Sequence, residues 1–132
     1  MSFCNYLNYR KPDIAGHFDL ITKYEETQNI GFLKSKEYLN LSQKYITVAT
    51  KFDVIFEVNT GAMARGLRTN PYPYENLLYA LKKENAKLII SSDCHSMDKI
   101  DYFFDETKKT LKDIGFKYVY NLFNNEFKKD KL

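Results

Sequence analysis

Three short, bulky runs are separated by stretches of helical period, and that alternation constrains the fold more than any other feature. The runs are 53–58 (DVIFEV), 87–91 (KLIIS) and 118–123 (YVYNLF), each rich in the β-branched and aromatic residues that suit a strand. Residues 35–52 carry apolar side chains at Leu39, Leu41, Tyr45, Ile46 and Ala49, which predicts a helix, with the β-branched content of 45–50 working against it. Residues 74–83 bring Leu77, Leu78 and Leu81 to one helix face. Residues 100–114 do the same with Phe103, Phe104, Thr107, Leu111 and Ile114, and Gly115 follows as a C-terminal cap. With a further apolar stretch at 14–18, the reading is β-α-β-α-β-α-β. That places the chain in the α/β class, with parallel strands in a sheet buried on both faces. Gly61, Gly66, Pro71 and Pro73 mark 61–74 as a long loop, 23–36 is the loosest stretch, and the Lys-rich residues 128–131 read as a solvated end. The 132 residues suit one domain, 1–132.

Composition excludes several functions. The formal charge of +3 is small and dispersed, and only Arg10, Arg65 and Arg68 are arginines, so no stripe for a nucleic-acid backbone is expected. The longest apolar runs are a few residues, too short to span a membrane, and no charged-then-apolar leader opens the chain. Two cysteines, Cys4 and Cys94, do not form a disulfide framework, so the expected compartment is a reducing cytoplasm.

In parallel sheets ligands gather at the carboxyl ends of the strands. The chain's two histidines both fall there, each with an aspartate two positions away: Gly16-His17-Phe18-Asp19 and Asp93-Cys94-His95. In extended backbone residues i and i+2 project to one side, so Asp93 with His95, and His17 with Asp19, are expected to face a common point while Cys94 points into the core. Imidazole with carboxylate suits Zn, Mn or Fe. A lone D-x-H is commonplace; two, using every histidine at one end of a sheet, favour a metal site. Glu57 and Asn59 end the middle strand on the same rim and share a face. Glu57 is either a ligand or the acceptor that orients one. Arg65 and Arg68, in the loop that follows, are candidates to clamp a phosphate. Asp19 is left open between an acceptor beside a ligand and a helix N-cap. Asp98 and Asp101 read as helix-start acids.

The segments GHFDLITKY, FEVNTGAMARGLRTNPYPYENLL and LIISSDCHSMDKIDYFFDETKKTLKDIGF together resemble the carboxyl-terminal half of histidinol-phosphate phosphatases of the PHP (polymerase and histidinol phosphatase) superfamily, over about residues 12–120. The resemblance implies half of a distorted (β/α)7 TIM-like barrel with a two- or three-metal cluster at the strand ends. It assigns His17, Asp93 and His95 as metal ligands. Arg65 takes the substrate phosphate, with Arg68 a weaker candidate, and Glu57 and Asn59 stand on the substrate side or behind the ligands. The implied reaction, in histidine biosynthesis, is hydrolysis of L-histidinol phosphate by metal-activated water, with metal and arginine holding the developing charge.

The sequence also departs from that family, whose opening H-x-H strand it lacks. Three matched ligands cannot assemble a full cluster, and such barrels need about 200–250 residues. The expectation is therefore a partial domain that works with an amino-terminal half or by self-association. The alternatives are a catalytically inactive remnant that binds metal or phosphate weakly or self-associates, and another PHP phosphoesterase.

Overall fold

The computed structural model describes residues 3–132. Eleven regular elements follow in chain order. They are α1 (Phe3–Arg10), β1 (Ile14–Ala15), α2 (Glu25–Gln28), α3 (Lys36–Ala49), β2 (Ile55–Asn59), α4 (Gly61–Ala64), α5 (Glu75–Lys83), β3 (Lys87–Ser91), α6 (Phe104–Ile114), β4 (Tyr118–Phe123) and β5 (Glu126–Lys131). Single 3₁₀ turns lie at Leu20–Thr22, Phe32–Lys34 and Met97–Lys99. No helix among the described residues is long and apolar enough to cross a membrane.

The strands form one sheet in sequence order, β1-β2-β3-β4-β5, parallel from β1 to β4 and antiparallel at β5. Crossovers between parallel strands are right-handed with very few exceptions, so a sheet in sequence order carries its helices on a single face. The burial follows. Phe56, Val58, Leu88, Ile90 and Val119 alternate along their strands into one cluster with Ile46 and Ala49 of α3, Leu77, Leu78 and Leu81 of α5, and Leu111 of α6. The register puts Glu57, Ile89, Tyr120 and Lys129 in a row on the opposite face.

The α/β class and the alternation of strands and helices stand as expected. The sheet, expected to be buried on both faces, is covered by helices on one face only, because strands in sequence order carry every crossover on the same side. The other differences have local causes. The last amphipathic helix begins at Phe104 rather than at residue 100, because Met97–Lys99 is a 3₁₀ turn and Phe103 takes a left-handed backbone with φ 62°. Gly115, at φ 105°, closes the helix in the conformation a glycine adopts freely. The 61–74 loop contains the single turn α4. Residues 128–131, expected as a solvated end, belong to β5 (Glu126–Lys131): Asn124 and Asn125 have φ of 51° and 61°, the paired left-handed backbone of a tight hairpin, and fold the chain back onto β4. One sheet edge is therefore a charged antiparallel strand, FKKDK, of the kind that discourages further pairing. Helix α1 has no strong apolar face and buries only Leu7, so periodicity gives little sign of it.

Leu81 lies completely buried between α5 and the sheet. Leu81→Ala is expected to destabilise the fold by about 2–5 kcal/mol, the range for deleting a buried leucine side chain; urea unfolding of the two proteins checks it.

Candidate functional site

Each parallel strand stops at the same rim, and the backbone turns sharply as it leaves. Beyond β1 and β3, His17 and Asp93 both have φ of 43°, a left-handed conformation that costs a side-chain-bearing residue energy and gathers at functional sites. The turns aim two side chains from different strands at each other. His17 Nε2 lies 3.3 Å from Asp93 Oδ2, joining residues 76 positions apart.

The strand between them, β2, supplies the support. Glu57 Oε2 accepts a hydrogen bond from the His17 backbone N–H at 2.9 Å and lies 3.8 Å from Nδ1. Asn59 is fully buried; its Oδ1 accepts from the Gly61 N–H at 2.9 Å, which fixes the amide so that Nδ2 faces His17 Nε2 at 3.1 Å. A donor there makes Nε2 the acceptor nitrogen and puts the ring proton on Nδ1, toward Glu57. In that assigned tautomer of the neutral ring the Nε2 lone pair faces the Asp93 carboxylate oxygen, two acceptors that a cation would bridge, whereas the protonated ring would donate to Oδ2. Gly61 must be glycine: a Cβ there would sit 2.5 Å from the Ser92 carbonyl oxygen. Arg65 completes the group, with Nη1 donating to the Asp93 carbonyl at 3.4 Å and Nη2 3.8 Å from Oδ2.

These contacts change the expected pairing. Asp93 with His95, and His17 with Asp19, were to share a side by extended geometry. Strand β1 ends at Ala15 and β3 at Ser91, so the alternation does not carry through either motif. The convergent pair is His17 with Asp93. His95 is exposed and has no hydrogen bond to the cluster, and Cys94 is exposed instead of packed in the core. Asp98 and Asp101 precede α6 and are likewise exposed.

Asp19 turns away into a separate buried knot. Its Oδ2 accepts from the Tyr74 N–H at 2.8 Å, Tyr38 OH at 3.3 Å and Thr22 Oγ1 at 3.4 Å. Although it sits at the N-cap of the 3₁₀ turn, its side chain makes no capping bond. Arg68 belongs to the same knot. Its guanidinium donates to Thr22 Oγ1 at 2.8 Å and to the Pro71 carbonyl at 3.3 Å, lies 4.1 Å over the Tyr72 ring, and has no bond to His17 or Asp93. Tyr72, in a segment whose tyrosines are expected to shape the loop, stacks under Arg68; Thr22 and Tyr38 were missed, and no sequence pattern marks them.

Tested as a metal site, the rim fits in part. Two ligands of a tetrahedral ion at about 2.0–2.1 Å stand about 3.3–3.4 Å apart, and the His17–Asp93 separation of 3.3 Å equals one such edge. Among the described residues, however, no three His, Cys, Asp or Glu side chains group so as to hold an ion.

Fold and rim thus define an α/β protein whose parallel strands end in a cluster of imidazole, carboxylates, amide and guanidinium. The probable histidinol-phosphatase of Schizosaccharomyces pombe (strain 972 / ATCC 24843) is 33% identical to the chain over 106 residues, which cover 79% of this chain and 34% of that protein. This chain spans about a third of the length of the curated relative it matches, and the similarity supports a histidinol-phosphatase-like relationship over the shared region. No family model matches the sequence.

Burial raises the Asp19 carboxyl above the usual range, opposed by Arg68 and the hydrogen bonds from Tyr74, Tyr38 and Thr22. A carboxyl raised by folding favours the folded state while protonated, and that contribution fades as pH climbs through the raised value. The difference in unfolding free energy between the wild type and Asp19→Asn should therefore shift toward the wild type as pH falls from about 7 to about 4. Denaturant titrations at several pH values check this, and a difference that does not move with pH would contradict it.

Proposed function

We propose that the chain carries part of a phosphomonoester-hydrolase site of the histidinol-phosphatase kind, acting on L-histidinol phosphate. A divalent ion, Zn, Mn or Fe, would be held by His17 and Asp93. The observation that supports this most directly is the convergence of His17 Nε2 and Asp93 Oδ2 at ligand–ligand spacing on the rim of a parallel sheet. When bound, the ion supplies electrophilic stabilisation of the phosphate and lowers the pKa of bound water. The chain's own residues position the reaction. Glu57 holds the His17 backbone and faces Nδ1, which keeps the ring nitrogen nearest Asp93 free to ligate. Asn59 sets the same tautomer from the other side. Arg65, about a third exposed and only loosely engaged with Asp93, takes a phosphate oxygen and the charge that develops on it. His95, exposed two residues beyond Asp93, is the third candidate ligand in this reading. The remaining ligands come from a second polypeptide or a second copy, and Arg68 supports the loop that carries Arg65.

One observation favours a second reading. With no third ligand converging among the described residues, the chain binds metal or phosphate weakly, or self-associates, without turnover.

Metal content and L-histidinol phosphate hydrolysis, measured on one sample of the 132-residue chain, separate the two. The hydrolase reading expects metal bound in stoichiometric amount and turnover abolished by chelator. It also expects a loss of about 10–100-fold in metal affinity for Glu57→Gln and of about 10²–10³-fold in kcat for Arg65→Ala. Metal well below stoichiometric amount, with no turnover, supports the second reading. Hydrolysis that survives both chelator and His17→Ala would sink the mechanism.

A further inference from the structure

We propose that the opposite end of the sheet carries a second anion site, for a phosphorylated aromatic molecule of the nucleoside-diphosphate class. It is held by Lys82, Lys117 and Lys129 against the rings of Tyr118 and Tyr120. The site is built by strand register. Tyr118 and Tyr120 alternate onto one face of β4; Lys131 stands opposite the first and Lys129 opposite the second on β5, while Lys128 and Asp130 fall on the other face. Lys87 opens β3 on the same face as Ile89, whose register partner is Tyr120. Lys82, Lys87, Lys117 and Lys129, with Tyr118 and Tyr120, line a cavity of about 330 Å³ whose lining includes no aspartate or glutamate. Lys82, near the end of α5 on the helix-covered side of the sheet, lines this cavity around the amino ends of the strands, its ammonium against Phe116.

The ammonium groups rest on aromatic rings. Lys82 Nζ is 5.6 Å from the Phe116 centroid, Lys87 is 5.8 Å from that of Tyr120, and Lys129 lies 5.7 and 6.0 Å from those of Tyr118 and Tyr120. Of these four basic groups only Lys87 has a carboxylate partner, the exposed Asp53; Lys82, Lys117 and Lys129 form no ion pair among the described residues. Unpaired cations gathered about a cavity without acids attract a multiply charged anion rather than one carboxylate. The exposed ring of Tyr118 adds a stacking surface, which inorganic phosphate would not use and a base would. The cavity lies at the amino ends of the parallel strands, away from His17 and Asp93 at their carboxyl ends, so a ligand here is distinct from a substrate at the rim.

The test is isothermal titration of the full 132-residue chain at low salt with ADP and, separately, with inorganic pyrophosphate. One ADP per chain is expected. The double variant Lys82→Gln/Lys129→Gln should weaken ADP and pyrophosphate alike by about five- to tenfold. Tyr118→Ala should weaken ADP by about five- to tenfold and leave pyrophosphate unchanged. Arg65→Ala should leave ADP binding unaltered, which separates this site from the rim. All the altered side chains are on the surface, and circular dichroism verifies folding. No binding at millimolar ADP, binding indifferent to the lysine pair, or binding lost with Arg65→Ala would overturn the site. Equal losses of ADP and pyrophosphate with Tyr118→Ala would overturn its aromatic half.

Discussion

The rim depends on Asn59. This residue is wholly buried at the end of β2, and all its groups are engaged: the backbone exchanges hydrogen bonds of 2.8 and 2.9 Å with Tyr72, Oδ1 takes the Gly61 N–H, and Nδ2 reaches His17. A buried amide left unpaired is unfavourable by about 1–3 kcal/mol per group. The three partners are therefore locked together: the strand end, the loop that carries Arg65 and Arg68, and the turn that carries His17. Gly61, whose N–H Asn59 Oδ1 holds, lets that loop pass against Ser92 just beyond β3, on the way to the contact of Arg65 with Asp93.

How far the site could be read in advance follows from where regular geometry ends. Glu57 and Asn59 lie inside β2, where alternation holds, and the expectation that they share a face is met: both touch His17. His17, Asp19, Asp93 and His95 lie just past their strands. There no period applies, and left-handed φ at His17 and Asp93 redirects the side chains across the sheet. Their arrival at one rim was legible from strand order, but which pairs meet was not, because that is decided by two backbone angles that leave no compositional trace when the residue is not glycine.

The fold shows the same division. Strands 87–91 and 118–123 were legible to the residue from their runs of β-branched and aromatic side chains, although in 118–123 only Val119 is buried. Strand β5 was hidden because an edge strand facing water is chosen for charge; its readable sign was the Asn-Asn turn at 124–125 rather than the strand itself. The start of α6 was misplaced because Phe103 and Phe104 both fit the helical period, although only the second is helical.

The two arginines of the 61–74 loop show how burial divides roles that sequence leaves equal. Arg68 is 5% exposed, stacked on Tyr72 and bonded to Thr22 and Pro71, next to a carboxylate that needs its charge. Removing a guanidinium from such surroundings strands a buried acid, so Arg68 is bound to the fold. Arg65 is 35% exposed, and its ion pair with Asp93 is long, at 3.8 Å. Exposed pairs of that kind contribute about 0–1 kcal/mol, so the contact breaks with little loss. The phosphate-holding role proposed for Arg65 requires an arginine held that loosely. The Asp19 knot provides this indirectly: by gripping Arg68 and the Tyr74 backbone, it fixes the loop while leaving its outer arginine free to exchange partners.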